Sequence, residues 1–569
     1  MAHGGAARAH RVVDRHATPT GKLARRLMAA ALAATCLAAP AAFPQTTSSP
    51  AVQPTAQAQQ PARAQILETM RRATRFMVEE VSTEGGYVWS YLPDLSRRWG
   101  ELEAKPSMVW VQPPGTGTMG HLFLDAYAAT GDDYYYHAAT RAADALIRGQ
   151  HPSGGWNYLI DFAGEASLKD WYATIGANAW RMEEFQHYYG NATFDDAGTA
   201  EASTFLLRLY LAKRDAKYRP ALDRAISFVL DSQYPMGGWP QRWPRVGDDY
   251  TGHVTFNDDV AGENIKFLVF VHQTLGDERA LAAVRRAMES FLVTQQPQPQ
   301  PGWGLQHTLD DLKPAAARSY EPKAFATHTT ATNLKLMLDF YQLTGDSRFL
   351  ARIPEALDWL EKVRLPAELV KGNRTHPTFI EIGTDKPLFI HRRGSNVVNG
   401  AYYADGNPEK VVGHYSSTRA IDLKGLRARY ERLKSMPAAE ATQGSPLLAQ
   451  AKADAQALPR FFTLREMEVS DLNLRQGGAP GTDATPEQVA GLVAGLNGRG
   501  FWPTPLKSTS NPYKGPGPKV PVPGDFAGTH VGDDSDTSPY PAETGVMGIS
   551  TGTYIRNMGV LIAALAAEG

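Results

Sequence analysis

Residues 213–241 read KRDAKYRPALDRAISFVLDSQYPMGGWPQ and contain the unit that recurs along the chain. A charged turn opens this stretch, and Leu222, Ile226 and Val229 then follow at the spacing of one helix face. A Gly-Gly-Trp turn containing Trp239 comes directly after the helical pattern. The stretch therefore predicts an amphipathic helix that ends in a glycine-rich turn.

The same unit recurs at residues 130–158 and 275–306, which contain Trp156 and Trp303 at the corresponding place. A weaker copy starts at residue 344 and lacks the Gly-Trp end. The copies alternate with further apolar helical segments, namely 117–129, 200–213, 259–274 and 329–343. Because neither helix of such a pair can bury its apolar face alone, we predict a mainly α fold. The expected architecture is an α/α toroid of paired helices with Gly-Trp turns and long loops, and short strands are expected near residues 378–391.

Composition excludes several classes of protein. The chain has 569 residues with 58 Lys and Arg against 59 Asp and Glu, and this balance argues against a nucleic-acid-binding protein. Hydrophobic residues make up 43% of the chain, which excludes a largely disordered protein. Cys36 is the single cysteine, so the sequence allows neither a disulfide framework nor a thiolate zinc cluster.

The first 44 residues are predicted to be a signal peptide, because basic residues precede a short apolar run from about 27 to 39. A Pro- and Gln-rich linker is expected over 45–63, and one helical domain over 64–569. Within it, we expect 64–200 to form an extension or the first part of the toroid, 201–569 its main part, and 503–541 a loop insertion. We expect an exported, soluble monomer without stable membrane association.

Two stretches carry acidic residues beside predicted helices. Asp258 and Asp259 precede the helix that contains Glu263, where carboxylates either cap the helix or bind a hard cation such as Ca²⁺. Arg318 and Glu321 precede another apolar helix. The purely structural interpretation of these two residues is a surface ion pair.

Basic residues are concentrated in residues 379–394, FIEIGTDKPLFIHRRG. We interpret Lys386, His391, Arg392 and Arg393 as a cluster that binds substrate carboxylates, with a solvated basic turn as the alternative. Arg499 and Arg556 lie in two further stretches, NGRGFW and TYIRNM.

The tryptophans of the Gly-Trp turns allow two interpretations. They either plug the end of each helix or line a groove in which aromatic rings stack on sugars. The groove interpretation uses Trp156, Trp239, Trp243 and Trp303.

Five motifs occur in a set order between residues 221 and 561, namely GGWPQRWP, HVTFNDD, WGLQHTLDDLKPAAARSYEP, EIGTDKPLFIHRRG and TYIRNM. In this order they resemble the pectate lyases of polysaccharide lyase family 10. The resemblance implies a toroid-like helical fold and Ca²⁺-dependent β-elimination of polygalacturonate, which leaves an unsaturated uronic acid at the new non-reducing end.

The resemblance also implies roles for individual residues. Asp258 or Asp259 serves the metal and Glu321 assists, while the base falls on Arg392. The arginines for substrate carboxylates are Arg318, Arg499 and Arg556. The sequence departs from the family pattern at Asp385-Lys386-Pro387 and at His391-Arg392-Arg393-Gly394. The family has Asn-Arg-Pro and Gly-Arg-Asp-Gly at these two places.

Two other classes of function remain open at this point. A glycoside hydrolase on a similar toroid needs a pair of carboxyl groups, for which Asp258 and Glu321 are candidates. A non-catalytic polysaccharide-binding protein needs the tryptophans but no basic cluster.

Overall fold

The computed structural model describes residues 61–176, 183–392, 402–409, 411, 415–448, 458–462, 484–506 and 547–567. The predicted signal peptide, nearly all of the linker, Arg393 and most of the 503–541 insertion lie outside the described residues. The side chain of Arg392 also lies outside them, although its backbone is described.

Fifteen α-helices occur in the described residues: α1 Arg63–Phe76, α2 Thr116–Thr130, α3 Asp133–Arg148, α4 Glu165–Thr174, α5 Gly198–Lys213, α6 Arg219–Asp231, α7 Val260–Leu275, α8 Glu278–Thr294, α9 Thr327–Thr344, α10 Arg348–Ala351, α11 Ile353–Lys362, α12 Leu423–Ser435, α13 Ala438–Ala441, α14 Pro486–Gly495 and α15 Thr551–Ala567. The four apolar segments predicted between the repeat units correspond to α2, α5, α7 and α9. Their observed ends lie within three residues of the predicted ones.

The helices pack as inner and outer partners. Helices α15, α2, α5 and α7 lie side by side in that order, and α3, α6 and α8 pack on α2, α5 and α7 respectively. Helix α9 packs against α8, α11 and α12. This is the paired-helix arrangement of an α/α toroid, so the predicted fold class is confirmed. No helix in the described part of the chain is both long enough and apolar enough to cross a membrane.

Short strands connect the helices. They are β1 Ser90–Tyr91, β2 Arg98–Trp99, β3 Glu103–Ala104, β4 Met108–Trp110, β5 Leu159–Asp161, β6 Ala192–Thr193, β7 Arg242–Trp243, β8 Val254–Thr255, β9 Gln306–His307, β10 Pro314–Ala315, β11 Phe325–Ala326, β12 His376–Pro377, β13 Phe379–Ile380, β14 Pro387–Arg392, β15 Tyr402–Asp405, β16 Thr418–Arg419, β17 Thr504–Pro505 and β18 Met547–Ser550. The longest belongs to an antiparallel sheet of order β11-β13-β14-β15, in which Arg392 pairs with Tyr402.

The Gly-Trp turns direct their tryptophans into the core. Trp156, Trp239 and Trp303 are all 0% exposed. The indole nitrogens of Trp156 and Trp239 donate to carbonyls of the preceding helix, each at 2.8 Å. These three residues therefore do not line a sugar-binding groove. The groove prediction is wrong for them, and the alternative of an aromatic plug describes their position.

Glycine makes this inward turn possible. Gly237 has φ +106°, and a Cβ atom there would lie 1.8 Å from the carbonyl oxygen of Arg286 on α8. The close approach of the turn to the neighbouring outer helix brings the following Trp239 between helices.

We expect Gly237→Ala to destabilise the protein more than Gly247→Ala. Gly247 also has positive φ, +82°, but no atom lies within 4 Å of its would-be Cβ. The control thus carries only the backbone strain, about 1–3 kcal/mol, while Gly237→Ala adds a clash with backbone. Urea unfolding of both variants measures the difference, and equal losses in the free energy of unfolding would contradict the close-approach argument.

A group of ionisable residues lies where α2, α5 and α7 meet. The Thr118 hydroxyl donates to the Glu201 carboxyl group. Burial, together with the charge of Glu263, raises the pKa of Glu201 to about 8. Burial and Glu263 also raise the pKa of Asp259 to about 8. Both acids therefore hold a proton in the folded protein at neutral pH.

These two acids predict a loss of stability with rising pH. Between about pH 4 and about pH 8 the folded state keeps protons that the unfolded state has released. Each group then lowers the free energy of unfolding by at most about 1.4 kcal/mol per pH unit. Glu201→Gln should flatten the decline, whereas Glu487→Gln on the exposed start of α14 should leave it unchanged. Urea unfolding from pH 5 to pH 9 measures the slopes, and an unaltered slope in Glu201→Gln would overturn this assignment.

Candidate active site

The guanidinium of Arg318 is the centre of a buried acidic cluster. Arg318 is 2% exposed, and Glu321 holds it in a bidentate contact, Nε to Oε2 at 3.0 Å and Nη2 to Oε1 at 2.9 Å. Its Nη1 atom lies 3.4 Å from both Glu184 Oε2 and Asp195 Oδ2. Its Nη2 atom lies 3.6 Å from Asp258 Oδ2. Four carboxyl groups thus surround one cation.

Two similar turns supply the aspartates of this cluster. Residues 193–198 read TFDDAG and residues 255–260 read TFNDDV, and each turn leads into an inner helix, α5 or α7. Asp196 and Asp258 occupy the same position and have nearly the same left-handed backbone, with φ 51° and 49°. The two turns are in contact with each other. A local repeat of sequence therefore becomes a pair of adjacent acidic turns.

Tyrosine hydroxyls complete the hydrogen bonding. Tyr158 donates to Asp195 Oδ2 at 2.6 Å, and Tyr415 donates to Glu321 Oε1 at 2.6 Å. The Tyr320 hydroxyl donates to Glu184 Oε2 at 3.0 Å. Each of these carboxyl groups therefore has a fixed orientation, which suits a site that must be preorganised.

The charges of the cluster shift the pKa of its members. Burial alone would lower the pKa of Arg318, but Glu321 and its other anionic neighbours raise it well above the ordinary value. Burial and the charges of Asp195 and Asp196 raise the pKa of Asp258 well above its ordinary value. Burial also raises the pKa of Glu184. For Asp195 burial is outweighed by Arg318 and by a hydrogen bond from Asp258, so its pKa is lowered. Asp195 and Asp258 thus form a pair of carboxyl groups that face each other.

The structure brings together three of the residues singled out in the sequence, Asp258, Arg318 and Glu321. For Arg318 and Glu321 the alternative was a surface ion pair, and their pair is buried instead. The guanidinium of Arg318 is directed at protein carboxylates in this conformation.

Asp259 and Glu263 do not join this cluster. Asp259 has φ +54°, directly after the left-handed Asp258, and the charged groups that act on it are Glu263, Lys266, Lys335 and Asp339. The predicted four-residue metal set is therefore divided between two clusters. The reason is the double left-handed turn, which neither spacing nor composition reveals.

The predicted basic cluster of residues 379–394 is also divided. Lys386 is exposed just before β14, and Arg392 is the last residue of that strand. Six residues of extended chain separate them by about 20 Å. Lys386 therefore does not lie beside Arg392, because the segment is a strand rather than a compact turn.

Two further predicted residues, Arg499 and Trp243, lie elsewhere. Arg499 pairs with Glu80 at 3.3 Å and donates to the Pro93 carbonyl, next to the end of α1. Its contacts are thus with the N-terminal helical region rather than with the acidic cluster. Trp243 lies half-buried on β7.

Arg556 is half-buried in the second turn of α15, the inner helix next to α2. A role of Arg499, Trp243 and Arg556 in substrate binding stays a prediction.

Sequence reasoning missed Glu184, Asp195, Asp196 and Tyr415. The first three lie in the part that the motifs left uncovered, but the TFDDAG and TFNDDV turns contained a signal for the two aspartates. Comparing the two turns along the chain would have identified both. Glu184 and Tyr415 have no such signal, because only the fold brings them to Arg318.

The cluster has the oxygen donors that hard cations bind, namely buried carboxyl oxygens, and among the described residues Asp195 Oδ1 has no hydrogen-bond partner. Within the described ranges, however, no three His, Cys, Asp or Glu side chains converge in an arrangement that could hold a metal ion.

Comparison with known proteins gives a family for the central part of the chain. Residues 161–400 match the family described as pectic acid lyase. This match begins earlier than the motifs in the sequence had indicated, and it includes both acidic turns. No curated protein sequence matches the chain.

Several solved structures are similar to this one. A family 10 polysaccharide lyase from Cellvibrio cellulosa has 17% identity, covers 58% of this chain and 92% of its own, and has a TM-score of 0.34. A mutant of a Cellvibrio cellulosa family 10 lyase is solved in complex with trigalacturonic acid. A GH76 α-mannanase from Bacteroides thetaiotaomicron has 10% identity and a TM-score of 0.36. The match covers 89% of this chain and 96% of the mannanase chain.

The family match, together with the ordered motifs, decides the class of the protein. It spans the two acidic turns, Arg318, Glu321 and strand β14 up to Arg392. Residues 161–400 therefore match a pectic acid lyase, and this match supports a polysaccharide lyase.

Proposed function

We propose that the protein is an exported pectate lyase that cleaves polygalacturonate by Ca²⁺-assisted β-elimination. The family match supports the substrate class, and the predicted signal peptide of residues 1–44 supports export. The product would carry an unsaturated uronic acid at the new non-reducing end.

One observation carries this proposal: the strand that ends in Arg392 and the acidic cluster meet at Tyr320. Arg392 pairs with Tyr402 across the β14-β15 ladder. The Tyr402 ring lies edge-on to the Tyr320 ring, with centroids 5.6 Å apart. Tyr320 itself is hydrogen-bonded to Glu184 of the cluster. A candidate base and a candidate cation site thus border the same small region.

Ca²⁺ is implied by the family, and the chemistry of the cluster is compatible with it. Asp258 and Asp195 would supply oxygen ligands, the kind that Ca²⁺ prefers, while Glu321 holds Arg318 in a bidentate contact. When bound, Ca²⁺ would stabilise the negative charge that develops on the substrate carboxylate as its neighbouring proton leaves. Asp258, rather than Asp259, is the aspartate we assign to the metal, because only Asp258 contacts the cluster.

The chain itself would supply the base and the scaffold. Arg392 would remove the proton next to the substrate carboxylate, and the glycosidic oxygen would leave from the neighbouring carbon. An arginine can act in this way only when unprotonated, and its ordinary pKa is above about 12. Activity should therefore rise toward alkaline pH. Arg318 would hold the surrounding carboxyl groups in fixed positions.

Arg392→Lys should abolish most turnover while the protein stays folded. Loss of a general base typically costs a factor of about 10² to 10⁴ in rate. The absorbance of the unsaturated product measures activity, and circular dichroism checks folding. Arg427→Lys on the exposed face of α12 is the matched control and should retain full activity. Near-normal activity in Arg392→Lys would overturn the assignment of the base.

Asp258→Asn and Asp259→Asn should differ although the residues are adjacent. Asp258→Asn should raise the Ca²⁺ concentration for half-maximal activity by at least about tenfold, since even outer-shell partners of a metal cost 10–100-fold in affinity. Asp259→Asn should leave that concentration unchanged, because Asp259 faces the other cluster. Calcium titrations of activity after treatment with chelator measure both values. Equal shifts in the two variants would contradict the separation of the clusters.

A glycoside hydrolase based on Asp258 and Glu321 is less well supported. Both carboxyl groups lie within 3.6 Å of the same nitrogen of Arg318. Both oxygens of Glu321 are engaged by Arg318, whereas a hydrolase needs one protonated acid and one base or nucleophile across an open substrate. Incubation with polygalacturonate distinguishes the classes, because a lyase produces ultraviolet absorbance and a hydrolase produces reducing ends alone.

A further inference from the structure

The side-chain amide of Gln112 makes three hydrogen bonds beside the acidic cluster. Gln112 lies two residues after β4 and is 3% exposed. Its Nε2 atom donates to Asp196 Oδ2 and to Glu101 Oε2, both at 2.7 Å. Its Oε1 atom accepts a hydrogen bond from the indole nitrogen of Trp110 at 2.9 Å. Both hydrogens and the oxygen of this amide are thus engaged, which fixes the direction from which Gln112 holds Asp196.

The neighbouring aspartate is held from the same place. Val111 and Gln112 donate their backbone N–H groups to the carbonyl of Tyr158, at 2.8 and 3.2 Å. The Tyr158 hydroxyl in turn donates to Asp195. The two aspartates of the first acidic turn are therefore bound by two adjoining segments, one after β4 and one before β5.

Asp196 is the most exposed of the residues that surround Arg318 from this side. Asp195 is 0% exposed and Glu184 and Glu321 are each 2% exposed, whereas Asp196 is half-buried. Its turn contacts the turn that contains Asp258. Packing alone fixes a fully buried side chain, but a half-buried one keeps more rotamer freedom. The orientation of the Asp196 carboxylate therefore depends on its hydrogen bond from Gln112.

Gln112 lies outside the part of the chain that matches the pectic acid lyase family. That match begins at residue 161, so Glu101, Trp110 and Gln112 all precede it. Gln112 is 84 residues before Asp196, and only the fold brings the two together. The N-terminal part of the toroid therefore contributes side chains to the candidate active site.

We propose that Gln112 is a positioning residue for the cation site, because it holds the Asp196 carboxylate in place beside Asp258. The inference rests on the proposed function for the identity of the cation, Ca²⁺, but it does not depend on turnover. A carboxylate that is already held in one orientation loses less freedom when a cation arrives, so the cation binds more tightly. Gln112 would act through Asp196 and would not touch the cation or the substrate itself.

Calcium binding to the full chain tests this inference. Gln112→Met removes the amide but keeps a side chain of similar length. It should weaken Ca²⁺ binding by about 10- to 100-fold, the usual effect of losing an outer-shell partner of a metal site. Asp196→Asn should weaken binding at least as much. Isothermal titration calorimetry measures these affinities without substrate.

Gln300→Met is the matched control. Gln300 is also buried, at 5% exposed, and its amide is engaged in the same way by the Glu381 carbonyl, by Asp385 Oδ1 at 2.7 Å and by the Gly383 N–H group. These partners belong to the turn before β14 and not to the acidic cluster. The control should therefore lose stability as Gln112→Met does but bind Ca²⁺ as the unaltered chain does. An equal loss of Ca²⁺ affinity in both variants would overturn the inference.

A double-mutant cycle separates positioning from a purely structural role. If Gln112 acts through Asp196, then Gln112→Met should cost less than about twofold in Ca²⁺ affinity in a chain that already carries Asp196→Asn. Full additivity of the two effects, or an unchanged affinity in Gln112→Met alone, would contradict the proposal.

Activity on polygalacturonate distinguishes this inference from the proposed function. A chain whose Ca²⁺ binding depends on Gln112 and Asp196, but which releases no unsaturated product, would refute the proposed function and leave the inference standing. An active lyase with the same Ca²⁺ affinity in Gln112→Met would do the reverse. A chain that binds no Ca²⁺ would overturn the inference, whatever its activity.

Discussion

The buried ion cluster around Arg318 is the interaction on which the arrangement of the candidate site depends. Its carboxyl partners come from four separate segments: the chain before β6, the turn before α5, the turn before α7 and the loop before β11. Removing one partner from a buried ion pair typically costs about 3–5 kcal/mol, because a charge is left uncompensated. One guanidinium therefore fixes the mutual positions of segments that are far apart in sequence.

The acidic side chains reach Arg318 because the same kind of turn occurs before two inner helices of the toroid. In both TFDDAG and TFNDDV, two successive residues adopt a left-handed backbone immediately before an inner helix. The turn sends neighbouring side chains to different places, so Asp258 faces Arg318 while Asp259 faces Glu263. Left-handed backbone costs energy in residues other than glycine, and such strain is concentrated at functional sites. Its presence in both turns agrees with their position beside the cluster.

The Gly-Trp turns have a different role from the one that their aromatic content suggested. Their glycines allow the backbone to touch a neighbouring outer helix, and the tryptophans then fill the space between helices. The large apolar surface of tryptophan favours burial wherever the backbone permits it. The aromatic residues that contact the cluster are instead the buried Tyr158, Tyr320 and Tyr415, whose hydroxyls are hydrogen-bonded to its carboxyl groups.

The helical repeat, the ends of the inner helices and the family resemblance could all be obtained from the linear chain, because helix periodicity and motif order are local properties. Asp258, Arg318 and Glu321 were also identified in this way. The separation of Asp258 from Asp259 depends on backbone angles, and the distance between Lys386 and Arg392 depends on an extended strand. The contributions of Glu184 and Tyr415 depend on long-range packing. Only the folded toroid decides these points, because a buried charge selects its partners by distance in space, not along the chain.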